Sequence, residues 1–99
     1  MLKNFISYQL SKKLYFECEK LKMREFLKLQ LLRASSSACL NLAEGSGKPT
    51  KKDQRRFYYI ALGSLREVQA VLEISRSDED VRKIADELGG CIYKLVEAK

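Results

Sequence analysis

Five cations crowd one short stretch of the chain: Lys48, Lys51, Lys52, Arg55 and Arg56, with Asp53 the single acid among them. Side chains of this type at this density attract phosphate backbones irrespective of base sequence. Tyr58 and Tyr59 lie close after them, and aromatic rings beside cations offer stacking surface to unpaired bases. The stretch also opens a helix, as argued below, whose free amides attract anions. Lysines in a first helical turn oppose the helix dipole by about 0.3–1 kcal/mol, so local stability does not account for Lys51 and Lys52. The candidate nucleic-acid residues are therefore Lys48, Lys51, Lys52, Arg55, Arg56 and Tyr59. A solvated basic face with no ligand is the plainer alternative.

Other chemistries find little material. The 99 residues contain no histidine, which removes the commonest proton carrier near neutral pH and His-containing zinc sites. Cys18, Cys39 and Cys91 are 21 and 52 residues apart, a spacing that fits neither a metal knuckle nor a CxxC redox pair. Gly45-Ser46-Gly47 lacks the Gly-Lys-Ser/Thr that completes a phosphate loop. Asp78, Glu79 and Asp80 are better explained as charges favoured at a helix start than as an acid/base pair. No catalytic residue, metal or cofactor is expected, and the chain reads as a non-enzyme. The odd cysteine count, with neither a secretory signal pattern nor an apolar run near 18 residues, points to a cytoplasmic protein outside the membrane.

The elements that must hold these residues are helical. Apolar residues recur at three or four throughout, no stretch alternates as a strand does, and the one dense breaker cluster is Gly45-Ser46-Gly47-Lys48-Pro49. The pattern predicts an all-α fold of one domain, an antiparallel up-down-up-down four-helix bundle with helices over about 4–20, 24–45, 50–76 and 78–97. Helix 1 shows a stripe of Ile6, Leu10, Leu14, Cys18 and Leu21. Its end carries no strong stop signal, and the break before helix 2 is inferred from the need to fold back. Thr50 caps helix 3 with Asp53 three residues on, and Ser77 with Asp80 repeats that pattern for helix 4. The small residues Ala34–Ala38 should face Ala61–Ser64 across the central hairpin, and Gly89-Gly90 marks a kink or a close contact.

Helix 2 is apolar over more than the width one core needs. Its second flank, with Leu29, Leu32 and Leu40 as candidate interface residues, serves either the monomer or a partner subunit. The polar residues Arg33, Asn41, Glu44 and Glu67 are expected to form a structural network. In it Arg33 meets Glu67, Glu44 meets Arg55 or Arg56, and Asn41 bonds within the bundle. Charge is split along the chain: residues 1–66 hold 14 Lys/Arg against 5 Asp/Glu, and 67–99 hold 5 against 8. The balance of +9 and −3 sums to the net +6.

The run from Gln30 to Gly47, with Asn-x-Ala-Glu-Gly at 41–45, Lys52-Asp53-Gln54-Arg55-Arg56-Phe57, and Ala-x-Gly-Ser-x-x-Glu at 61–67, resembles the bacterial four-helix-bundle proteins encoded in intervening sequences of 23S rRNA genes. That family includes the accessory variability determinant of diversity-generating retroelements, a basic homopentamer that associates with nucleic acid and a reverse transcriptase. The resemblance implies a pentameric, non-enzymatic protein, with RNA or DNA and a reverse transcriptase as candidate partners. A protein-interaction scaffold with no direct nucleic-acid role is the alternative for a member of the intervening-sequence type.

Overall fold

The computed structural model describes residues 2–98. A 3₁₀ turn at Leu2–Asn4 leads into four helices: α1 (Ile6–Lys20), α2 (Glu25–Ser46), α3 (Lys51–Ile74) and α4 (Glu79–Glu97). No strand occurs among the described residues. The bundle measures 40 × 21 × 21 Å, close to the roughly 36 Å that a helix of α3's length spans.

Contacts fix the order of the helices. Arg33 reaches Glu67 and Ser37 reaches Ser64, so α2 and α3 run antiparallel. Gln69 bonds Asp86 and Arg55 bonds Ala98, so α3 and α4 do too. Phe5, just before α1, packs its ring tilted against that of Tyr58 near the start of α3, with centroids 6.0 Å apart. The start of α1, the α2–α3 turn and the end of α4 therefore share one end of the bundle. The α1–α2 linker and α3–α4 turn meet at the other, where Met23, Arg24, Ile74 and Arg76 line one groove. This is the up-down-up-down arrangement, and each helix packs on the next, with α1 closing on α4.

Leu14, Cys18, Leu31, Leu42, Leu65, Val68, Leu72, Leu88 and Ile92 are buried at the centre. Ala34, Ala38 and Ala61 are buried where α2 crosses α3, and the 2.8 Å Ser37–Ser64 bond spans the same crossing. Small side chains let these two helices approach closely. At the turn, a methyl group on Gly45 would come 2.7 Å from Tyr58 Cε1 and 3.0 Å from Phe57 Cβ. Only glycine fits there without displacing a ring.

The structure corrects the sequence reading at the α1 stripe and at the α3–α4 turn, and it supplies detail the reading lacked at the α1–α2 break and at Gly89-Gly90. The buried stripe of α1 is Ser7, Ser11, Leu14 and Cys18, whereas Ile6 is 74% exposed. The two serines give up size for close packing, and Ser11 Oγ donates to the Tyr8 carbonyl at 2.7 Å. The α1–α2 break is set from outside the linker: Lys28 Nζ donates to the Glu19 carbonyl at 2.9 Å and to that of Leu21. These are carbonyls at a helix end that lack intrahelical partners. Helix α3 stops at Ile74 because Arg76 turns left-handed (φ 55°) and the Ser77 amide returns to the Leu72 carbonyl at 3.0 Å, a Schellman closure. The N-cap of α4 is accordingly Asp78, which accepts from the Val81 amide at 3.1 Å, and Ser77 Oγ pairs instead with Ser75 Oγ at 2.7 Å. Finally, α4 continues as one helix through Gly89-Gly90. Gly89 faces Leu65 Cδ2, 3.4 Å from where a methyl would sit, while Gly90 borders open space.

Candidate nucleic-acid interface

The basic stretch lies at the bundle end where α2 turns into α3. Thr50 Oγ1 accepts from the Asp53 amide at 3.2 Å, which starts α3 at Lys51 and fixes the direction of every side chain after it. Gln54 Nε2 ties the turn down by donating to the Lys48 carbonyl at 3.0 Å.

The five cations then take three different settings. Lys48 and Arg56 flank one ring: Lys48 Nζ is 5.1 Å and the Arg56 guanidinium carbon 4.7 Å from the centroid of Phe57. Each such contact is worth about 0.5–1 kcal/mol at an exposed site, and together they hold two charges beside each other. Arg55 turns the other way and donates to the Ala98 carbonyl at 3.0 Å, clasping the end of α4. Lys51 and Lys52 are exposed, and Lys51 borders a small cleft with Gln54, Arg55, Tyr58, Leu95 and Ala98. Phe57 as the seat for two cations was not foreseen. The adjacency of Arg56 to Phe57 is a signal that could have found one of the two, whereas Lys48, nine residues earlier, is brought there by the turn.

The two tyrosines separate. Tyr58, offered above as stacking surface, is only 8% exposed and packs on Phe5 and Gly45. Burial pushes its hydroxyl pKa up, and the ring is core. The helix turns about 100° per residue, so Tyr59 faces outward and is 54% exposed. Among the described residues Tyr59 is in no ring–ring or cation–ring contact.

The expected polar network is partly rearranged. Arg33 meets Glu67 at 3.2 Å, and both side chains are well exposed, which limits the pair to about 1 kcal/mol. Asn41 Nδ2 donates to the Ser37 carbonyl at 2.9 Å and to Ser37 Oγ at 3.2 Å. Glu44 does not pair with Arg55 or Arg56. It meets Lys48 at 3.1 Å, an i,i+4 neighbour across the turn, because Arg56 lies on Phe57 and Arg55 on α4. Leu29 and Leu40 are 64% and 67% exposed and point away from the core. Leu32 is half-buried against the chain's own core and is not part of that outer face.

Elsewhere, burial pushes the Cys18 thiol up to about 12, with the Lys28 charge working against that shift and Glu17 adding to it. The described residues contain no cluster of metal-ligating side chains and no helix long and apolar enough to cross a membrane.

A bundle of this register, with Gly45 of the Asn41-Leu-Ala-Glu-Gly45 run against Phe57 and Tyr58 and the Ala61 to Glu67 segment of α3 meeting Arg33 and Ser37, agrees with a family match that spans residues 4–97, that of the 23S rRNA-intervening sequence protein. The chain belongs to that family. None of the curated proteins compared with it matches. For the 23S rRNA-intervening sequence family the match covers nearly the whole bundle, including every cation described above.

Proposed function

We propose that this intervening-sequence protein is a non-enzymatic, cytoplasmic homo-oligomer, a pentamer, whose cationic bundle end binds RNA or DNA through the phosphate backbone and presents it to a partner enzyme of the reverse-transcriptase kind. The observation that carries the reading is the clustering of Lys48, Lys51, Lys52, Arg55 and Arg56 at one end, against Glu44 and Asp53 as the nearby acids. Two of the cations are held side by side on Phe57, and a pre-ordered pair loses less freedom on meeting a phosphate. Self-association is supported by large apolar side chains on the outward sides of α2 and α3: Phe26, Leu29, Leu40, Ile60 and Ile74 are all exposed. A ring would repeat the cationic end and multiply weak contacts.

Titration of a labelled structured RNA at several salt concentrations tests the first part. Affinity falls steeply with salt, and a variant with Lys51, Lys52, Arg55 and Arg56 changed to Ala binds more weakly with a flatter slope. Absence of binding to RNA and DNA at about 50 mM salt, a condition in which phosphate contacts are strong, refutes the nucleic-acid reading. Sedimentation tests the second part, and a monomeric mass at micromolar concentration rejects it. The same exposed apolar faces favour one alternative, a scaffold that docks a protein and uses its charge to recruit an acidic one.

A further inference from the structure

The outward side of α3 carries more than its first-turn lysines. Lys52, Arg56, Tyr59, Gly63 and Arg66 recur at four, three, four and three residues, which places them on one stripe roughly 21 Å long. All five are exposed. Within α3 the glycine is the anomaly. A mid-helix glycine costs about 1 kcal/mol relative to alanine, and among the described residues, beyond its chain neighbours and the local backbone of α3, nothing lies within 4 Å of where a methyl on Gly63 would sit. No contact among the described residues explains it, in contrast to Gly45.

Helical side chains lean toward the N-terminus and cover the turn before their own Cα. A side chain at 63 would therefore lie over the ring at 59. With glycine in that place the ring of Tyr59 stays bare on one side, between Lys52 and Arg56 at one end and Arg66 at the other. Arg66 is steadied by its Nη1 donating to Gln69 Oε1 at 2.9 Å. A flat π surface, an empty place beside it and cations on both sides match one base and the phosphates flanking it. In a duplex the bases are stacked on one another and their faces are closed to such a ring.

We infer that Tyr59 and the gap at Gly63 form a base-stacking slot that makes the cationic surface select unpaired over duplex nucleic acid. This rests on the nucleic-acid reading above and adds strand selectivity to it. Fluorescence anisotropy with a labelled single-stranded oligonucleotide and a duplex of the same length, on the full chain, tests it. The single strand binds more tightly, and Tyr59→Ala weakens single-strand binding by about 5- to 150-fold while leaving duplex binding within twofold. Tyr59→Phe keeps the ring and restores single-strand affinity. Gly63→Leu covers the ring and lowers single-strand affinity, although circular dichroism shows a helix at least as stable as the parent. Equal affinity for both forms, or single-strand affinity unchanged by Tyr59→Ala, overturns the slot and leaves the phosphate-binding reading standing. Failure of the parent protein to bind either form overturns both.

Discussion

Gly45 and Gly90 are both helical glycines, and changing each to alanine should move stability in opposite directions. Alanine gains up to about 1 kcal/mol over glycine in a helix interior because it restricts the unfolded chain. At Gly90 nothing lies within 4 Å of the new methyl, so that gain is realised. At Gly45 the methyl arrives 2.7 Å from Tyr58 Cε1 and 3.0 Å from Phe57 Cβ. Neither atom is the far end of a flexible chain, and Tyr58 is wedged against Phe5. Overpacking a closed site costs about 1–3 kcal/mol, which exceeds the propensity gain, and more so in the last turn of α2, where that gain is smaller. The net expectation is about 1–2 kcal/mol of destabilisation for Gly45→Ala. In urea, with a slope near 1 kcal/mol per molar for so small a domain, the two midpoints should separate by roughly 2 M. Measurements at one protein concentration keep any self-association equal between variants. A Gly45→Ala protein as stable as Gly90→Ala would falsify the close crossing described for the α2–α3 turn.

Two further outcomes follow from single residues. Arg76 adopts φ 55°, a conformation that costs a side-chain-bearing residue about 1 kcal/mol and glycine little. Arg76→Gly should therefore raise the thermal midpoint by roughly 4–8 °C if the full amount is recovered, and a lowered midpoint shows that the arginine side chain itself stabilises the turn. Cys18, with its thiol pushed from 9.0 up to about 12 by burial, should resist thiol reagents at pH 8 until the chain unfolds. Because its folded pKa is the higher one, the stability tied to it is intact below pH 9 and is lost as pH rises toward 12. Denaturant titrations across that window in parent and Cys18→Ala measure it, and an identical slope with pH in both proteins contradicts the burial.

The sequence spoke most clearly where a local rule and the tertiary structure agree. Thr50 with Asp53 marks the start of α3 because capping is a matter of three or four residues. The Ala34–Ala38 and Ala61–Ser64 patches pair because the turn between them is short. Ile6 misled because size suggests burial, yet near the start of α1 the buried positions are Ser7 and Ser11, which no pattern within α1 reveals. The α1–α2 break was legible only as a necessity: its cause, Lys28 reaching back to α1, sits seven residues beyond the carbonyl of Leu21. In the interface, the charges were visible as a cluster, but the placing of Lys48 and Arg56 on Phe57 and of Arg55 on the end of α4 depends on which direction each helix turn faces. Glu44 shows the limit well, since three cations lay within reach in sequence and the nearest, Lys48 in the turn just beyond α2, took it.

One end of the bundle gathers the starts of α1 and α3 and the finishes of α2 and α4. Two positive and two negative backbone poles thus meet there and offset one another at a distance, so the longer-range potential of that end is set by its side chains. Replacing the exposed Lys52 with glutamate should weaken that field while leaving Arg55 on α4 and Lys48 and Arg56 on Phe57, which makes ligand preference in this architecture separable from its foldability.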